Sequence, residues 1–256
     1  MISCLSLGHH GYVGNQMFQY ASLMGIAERN KMDYSVLPDY WKQGSFTPHI
    51  WEEFSLSAKR TQDHPLHTAR EINHCYNPQF QNLSPNTDIF GYFQTEKYFE
   101  NIKEKVQEEF KFKEETLREC AEYISSVQEG KELVGVHVRR GDYVDLPDYH
   151  PVCTKEYYEE AVKRFPDHTF IVVSNDHDWC EENLEMNVFK GSSAFADMCM
   201  LTLTQHNIIA NSSFSWWGAW LNRNPNKKVI APTRWFGTAL EDKDLSDLIP
   251  EGWERI

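Results

Sequence analysis

The sequence predicts an α/β protein with parallel sheets covered by helices. Short apolar runs alternate with segments of helical periodicity, most cleanly after residue 131. Several of these runs end in Gly, Ser, Asn, Asp or Arg, the residue types that build ligand-binding turns at strand ends. The 256 residues are 41% hydrophobic and 25% charged, an ordinary globular composition. That length allows two units, each large enough to bury its own core.

The first half opens as strand, glycine turn and helix. Ile2 to Leu7 is the predicted strand, and Gly8 to Gly14 the turn. The helix runs from about Asn15 to Asn30, with Met17, Phe18, Ala21, Met24 and Ala27 on its buried face. Asp33 to Leu37 predicts a second strand, while residues 38–88 lack clear periodicity and read as irregular. Ile89 to Phe93 predicts another strand, with a helix from about Glu96 to Glu109. Lys111 to Lys131 carries Leu117, Cys120, Ala121, Ile124 and Val127 at helical spacing and ends at Gly130. It predicts a connecting helix over 113–131, between units 1–112 and 132–256.

In the second half, strands are predicted at Leu133–Val138, Thr169–Ser174, Asn207–Ala210 and Lys228–Ala231. Helices are predicted at Lys155–Arg164 behind the cap residue Thr154, Asp178–Asn183, Ala194–Thr204 and Phe214–Asn222.

Bulk properties exclude some functions. The net charge of −13 argues against a nucleic-acid partner, which requires a basic patch. No run reaches the roughly 18 apolar residues of a membrane span. Met1 to Leu7 reads as a strand and not as a signal peptide, so a soluble, cytoplasmic protein is expected. The six cysteines have no metal or redox spacing and are expected to be reduced thiols. No metal site is expected: Asp145 and Asp148 are too widely spaced, with Pro147 between them.

Four clusters could carry chemistry. His137-Val138-Arg139-Arg140-Gly141-Asp142-Tyr143 ends a buried strand. Arginine forks suit phosphate oxygens, and strand carboxyl ends are where open α/β sheets bind ligands. A surface turn whose Arg and Asp pair with each other is the other reading. Ser174-Asn175-Asp176 ends the next strand, either as a nucleotide contact or as a helix cap. Asn211-Ser212-Ser213-Phe214 opens a helix whose amides favour anions. Its indoles Trp217 and Trp220 also fit an aromatic core face. Gly11-Tyr12-Val13-Gly14-Asn15-Gln16 lets backbone approach a ligand closely, though it lacks the dinucleotide fingerprint. His9 and His10 in this turn read as exposed loop histidines.

Together these blocks resemble the α-1,2-fucosyltransferases of glycosyltransferase family 11. Gly14-Asn15-Gln16-Met17-Phe18-Gln19-Tyr20-Ala21 is similar to that family's first signature, and Gly91-Tyr92-Phe93-Gln94 to its central one. The Arg-pair segment resembles its nucleotide-sugar motif, and Asn211 to Gly218 its last block. The blocks fall in order from residue 11 to 222. The resemblance implies a GT-B-type fold, with two Rossmann-like domains facing a cleft. It implies inverting transfer of L-fucose from GDP-β-L-fucose to the 2-hydroxyl of a β-galactoside in a glycan, with no metal or cofactor required. Other nucleotide-sugar transferases on this fold, or a catalytically silent glycan-binding relative, are the alternatives.

The resemblance also implies site residues. Arg139, Arg140, Asp142, Ser174, Asp176, Asn211, Ser212, Ser213 and Phe214 are expected on the GDP-fucose side, with Arg139 at the β-phosphate. Tyr12, Gly14, Asn15 and Gln16 are expected on the acceptor side. Arg139, Asn15 and His137 are the expected catalytic residues. Two departures stand out: Tyr12-Val13 replaces the family's usual Gly-Leu, and Asn175 replaces its first strand-end aspartate.

Overall fold

The computed structural model describes residues 1–37, 49–62 and 64–256. It divides into two units, Met1–Lys111 with Lys243–Pro250, and Phe112–Asp242 with Glu251–Ile256.

The first unit is built on β1 (Ile2–Cys4), β2 (Tyr34–Val36), β3 (Lys59–Arg60), β4 (His67–Arg70) and β5 (Thr87–Phe90). All are parallel, in the order β3-β2-β1-β5-β4. The order therefore reverses between β1 and β5. Helix α1 (Val13–Asn30) is buried almost all round, as befits a helix inside a unit. One polar stripe runs along it. Asn15 Oδ1 accepts from Gln94 Nε2 (2.6 Å), Gln19 Nε2 donates to the Gly91 carbonyl (3.0 Å), and Ser22 Oγ donates to the Phe93 carbonyl (3.4 Å). Gly25 continues the stripe, where a Cβ would lie 2.1 Å from the Tyr98 carbonyl oxygen. Spacings of three and four residues put these positions on one face, which grips residues 91–99.

The helix expected over 96–109 is interrupted. Short 3₁₀ turns at Glu96–Tyr98 and Glu100–Ile102 precede α2 (Lys103–Glu109). The Arg29 guanidinium donates to the Lys97 and Tyr98 carbonyls. Those are the acceptors a continuous helix would need for its own ladder. The 38–88 stretch expected to be irregular contains β3 and β4 among its described residues; 38–48 and 63 lie outside them.

The second unit is built on β6 (Leu133–Val138), β7 (Thr169–Ser174), β8 (Asn187–Val188), β9 (His206–Ile208), β10 (Val229–Ala231) and β11 (Glu254–Arg255). These are also all parallel, in the order β11-β10-β9-β6-β7-β8. The helices are α3 (Glu114–Val127), α4 (Lys155–Val162), α5 (His177–Asn183), α6 (Ala194–Leu203) and α7 (Ser213–Leu221). Segment 113–131, expected to connect the units, contributes α3, which packs on α6 inside this second unit.

Every residue of β6 is buried, as expected of a parallel strand covered on both faces. Val134, Val136 and Val138 join the core with Tyr158 of α4 and Cys180 of α5. Leu133 lies on the other face with Cys199, Met200 and Leu201 of α6. Each such buried aliphatic side chain contributes roughly 1.5–3 kcal/mol. Trp216 and Trp217 are fully buried and Trp220 nearly so, so α7 does carry the aromatic core face.

The Gly25 contact gives a direct test of the α1 stripe. The opposing atoms are backbone and cannot rotate away. Gly25→Ala is expected to destabilise the protein by about 1–3 kcal/mol, the cost of overpacking, read as a lower urea midpoint with an unchanged slope.

Candidate active site

The second unit's sheet reverses order between β6 and β9. Open α/β sheets bind ligands outside the strand carboxyl ends at such a reversal. Three adjacent strands deliver side chains there: β6 ends before Arg139, β7 before Asn175, and β9 runs into the Asn211–Ser213 turn. β6 and β7 pair in register along their length, Val138 opposite Ser174. That register places the Arg pair beside Asn175 and Asp176.

Strand alternation sends the two arginines to different neighbours. Arg140 Nε donates to Asp176 Oδ2 (2.9 Å), and its guanidinium lies 4.5 Å from the Trp179 ring centroid on α5. Asp176 also caps α5 by accepting from the Trp179 amide. Arg139 Nη2 pairs with Asp142 Oδ1 at 2.6 Å, over the Tyr143 ring, which stacks on His150. The Arg139 Nε–H is buried without a hydrogen-bond partner. The structure shows the ion-paired turn, with each arginine held by an aspartate, and within it Arg139 retains a buried, unsatisfied donor. Buried polar groups normally find partners, and the Arg139 Nε–H is one that the described residues leave unsatisfied.

The Tyr143 side chain ties this turn to α7. It is hydrogen-bonded to the Ser212 side chain and lies 3.5 Å from the Asn211 carbonyl oxygen. Ser212 is the α7 N-cap and accepts from the Phe214 amide. A guanidinium and a helix start therefore belong to one anion-favouring site. Asn211 is buried, and its Nδ2 donates to the Pro151 and Trp235 carbonyls. It anchors loops. Ser174 Oγ accepts from the Asp176 amide, which shapes the β7–α5 turn. His137 lies on the α6 and α7 side of the sheet, its ring 5.2 Å from that of Phe214.

In the first unit, Gly11 has φ +78, and a Cβ there would meet the Asn15 side chain at 2.3 Å. Gly14 lies in the first turn of α1 and is buried. Gln16 is fully buried, with Oε1 accepting from the Ile50 amide (3.2 Å) and Nε2 3.5 Å from the Gly11 carbonyl. It holds the turn from inside. Tyr12 is half exposed at the α1 N-cap.

Residues 4–254 match the family model described as Glycosyl transferase family 11. The chain belongs to glycosyltransferase family 11. An Escherichia coli α-1,2-colitosyltransferase is 33% identical, with 96% of each chain covered. Galactoside α-(1,2)-fucosyltransferase 1 of Alouatta belzebul is 26% identical over 82% of this chain and 63% of that protein. The solved structure of POFUT1 with GDP superimposes with a TM-score of 0.57 at 11% identity, covering 90% of this chain and 97% of that one. The NodZ α-1,6-fucosyltransferase gives 0.55 at 12% identity, covering 86% and 92%. The fold is of the GT-B type expected from the sequence.

In this glycosyltransferase the Asn175 departure has a structural consequence. Asn175 Oδ1 accepts from the Arg140 backbone amide at 2.9 Å, and its Nδ2 lies 2.2 Å from where a Gly141 Cβ would stand. Gly141 has φ +46, a conformation suited to glycine. Asn175 thus braces the Arg turn without adding a negative charge.

Glu71 was missed in the sequence. It follows β4, whose pattern is almost wholly exposed, so no alternation marks it. Its Oε2 accepts from the Tyr92 and Phe93 amides at 2.8 and 2.9 Å, and it lines a cavity of about 200 Å³ in the first unit. Another unforeseen cluster lies at the amino ends of the second unit's strands, away from the Arg turn. Glu132, His168 and His206 bring ligand-type atoms within 4.8 Å of one another. The Lys228 amide donates to His206 Nδ1 (3.0 Å), which leaves that ring's proton on Nε2, 3.6 Å from Glu132. There His206 presents a donor to a carboxylate and not a lone pair to an ion.

His137 is fully inside, and burial, with Arg139 nearby, pushes its imidazole down to about 3. The folded protein refuses a proton that the unfolded chain binds below its ordinary value of 6.5. His137 therefore costs stability progressively as pH falls from 6.5 toward 3, and the loss levels off below that. A His137→Gln variant is expected to show a shallower loss of urea midpoint than wild type between pH 6.5 and 4.

Proposed function

We propose that this family 11 glycosyltransferase is an inverting α-1,2-fucosyltransferase. It moves L-fucose from GDP-β-L-fucose to the 2-hydroxyl of a β-galactoside in a glycan. The second unit takes the GDP-sugar and the first unit takes the acceptor. The observation that carries this reading is the Arg139 guanidinium, with its unsatisfied Nε–H, in the turn hydrogen-bonded to the start of α7. The α-(1,2)-fucosyl activity of one family of relatives, and the fucosyltransferase fold of its structural neighbours, support the choice of sugar.

Direct displacement at the anomeric carbon leaves negative charge on the departing diphosphate. Preorganised donors aimed at developing charge are the strongest means of lowering such a barrier. Arg139, with the Ser213 amide and the Ser212 and Ser213 hydroxyls at the α7 start that Phe214 continues, supplies them, and the reaction is proposed to need no metal. Asp142 holds Arg139 in place before the donor arrives. Arg140 and Asp176 brace the turn and the nucleotide side, while Ser174 and Asn211 act as scaffold. His137 stays neutral under Phe214, so its part is positional. Asn15, fixed by Gln94, lies with Tyr12 on the acceptor side.

One observation favours a second donor. The colitosyltransferase is the 33% relative, and colitose is fucose without one hydroxyl. All six cysteines are free thiols, which suits a cytoplasmic enzyme. No helix among the described residues is long and apolar enough to cross a membrane.

Two measurements test the proposal. GDP-fucose with a β-galactoside array is expected to give α-1,2-linked product by linkage analysis. Turnover with GDP-colitose and none with GDP-fucose would reject the fucosyl assignment. Arg139→Ala is expected to stay folded and lose about 10²–10³ in kcat, as when one oxyanion donor is removed; near wild-type turnover would remove Arg139 from its role.

A further inference from the structure

The first unit has its own order reversal, between β1 and β5. The cavity of about 200 Å³ sits there, lined by Ser6 after β1, by Phe90, Gly91 and Tyr92 at the end of β5, and by Glu71 after β4. Gln19 of α1 and the imidazoles of His10 and His74 complete its polar wall. We infer that this cavity holds the acceptor sugar and that Glu71 takes the proton of the hydroxyl that is glycosylated. The inference rests on the glycosyltransferase reading above and adds to it the base which that reading lacks.

Geometry supports the assignment. The Glu71 carboxyl is held at Oε2 by two backbone amides, while Oε1 is buried with no hydrogen-bond partner. Gln19 repeats the pattern: Nε2 is fixed on the Gly91 carbonyl, and Oε1 has no partner. Two residues of the cavity wall thus carry buried acceptor oxygens that the described residues leave unsatisfied. Hydroxyl groups are the donors that would satisfy them, and an acceptor sugar carries several. Phe90 and Tyr92 add aromatic surface for a sugar's apolar face.

Gly91 makes room for this carboxyl. A Cβ there would lie 2.4 Å from Glu71 Cβ and 2.7 Å from Oε2. The central signature Gly91-Tyr92-Phe93-Gln94 therefore does three things at once. It admits the Glu71 side chain, donates both amides to it, and fixes Asn15 and Gln19 on α1.

The electrostatics fit a general base. Burial pushes the Glu71 carboxyl up to about 7, against the pull of the two amides. A base is most effective when its pKa lies near the working pH. His10, His74 and Tyr92 on the cavity wall and the Tyr98 phenol are titratable groups around it. Neighbouring Arg70 stacks on the Phe90 ring, 4.5 Å from its centroid. Among the described residues no lysine or arginine is ion-paired with Glu71.

The step balances simply. The acceptor O–H bond breaks and its proton goes to Glu71 Oε1. The freed electron pair forms the bond to the anomeric carbon of the donor sugar. The anomeric C–O bond to the β-phosphate breaks, and its electrons leave on GDP.

The test compares wild type, Glu71→Gln and Glu71→Asp with whichever GDP-sugar wild type turns over. Gln keeps an oxygen for the two amides and the side-chain volume, so the loop is preserved. In wild type, kcat is expected to rise with pH through an apparent value near 7. In Glu71→Gln it is expected to fall about 10²–10⁴-fold and lose that rise, while GDP affinity by calorimetry is unchanged. Glu71→Asp is expected to keep the pH dependence at reduced kcat, and it serves alone if the Gln variant does not fold. A Gln variant within a few-fold of wild type, or an Asp variant without the pH limb, would overturn the assignment. Turnover of a sugar other than fucose would overturn only the fucosyl reading, and wild type without any transfer would overturn both.

Discussion

Reversal of strand order beside one buried strand is the constraint on which the second unit depends. β6 is covered on both faces and pairs with β7 on one side and β9 on the other. Right-handed crossovers send successive strands outward in one direction and then in the other. The loops after β6 and β9 therefore diverge to opposite faces and leave a gap between them. Arg139 and the start of α7 occupy the rims of that gap. Burial of β6 fixes its register, and register with period 2 separates the arginines: Arg140 toward α5 and Arg139 toward Tyr143 and Ser212.

The first unit repeats the scheme with different chemistry. β1 and β5 flank its reversal, and the residues following them are neutral or acidic: Ser6, Gly91, Tyr92 and, from β4, Glu71. The second unit presents guanidinium and helix amides suited to a diphosphate. The first presents oxygen acceptors suited to hydroxyl groups. The α1 stripe of Asn15, Gln19, Ser22 and Gly25 holds this second arrangement together by gripping residues 91–99. Gln19 and Ser22 are buried there because each donates to a backbone carbonyl, while half-buried Asn15 meets the Gln94 side chain.

The readable parts of the sequence were those where burial and periodicity coincide. β6 and β7 match their expected limits because both are buried runs in a parallel sheet. α7 and its Ser212 cap were legible from Asn-Ser-Ser ahead of the indoles. β1 ends at Cys4, earlier than its apolar run, because Leu5 donates its amide to Asp88 and leaves the ladder. The helix break near Phe99 depends on Arg29, a partner far away in the chain. β3 and β4 are short and mostly exposed, so they carry no alternation to read. Glu71 was hidden for the same reason, and because its significance comes from amides of Tyr92 and Phe93. The Arg pair was legible as a turn at a strand end, but the different neighbours of its two arginines required the positions of Asp176, Trp179 and Tyr143.

A crystal structure with GDP bound tests the central claim most directly. The account predicts the β-phosphate within hydrogen-bonding distance of the Arg139 guanidinium and the Ser213 amide, at the carboxyl ends of β6 and β9. GDP seated in the first unit, or in the second unit with its diphosphate away from Arg139, would contradict it.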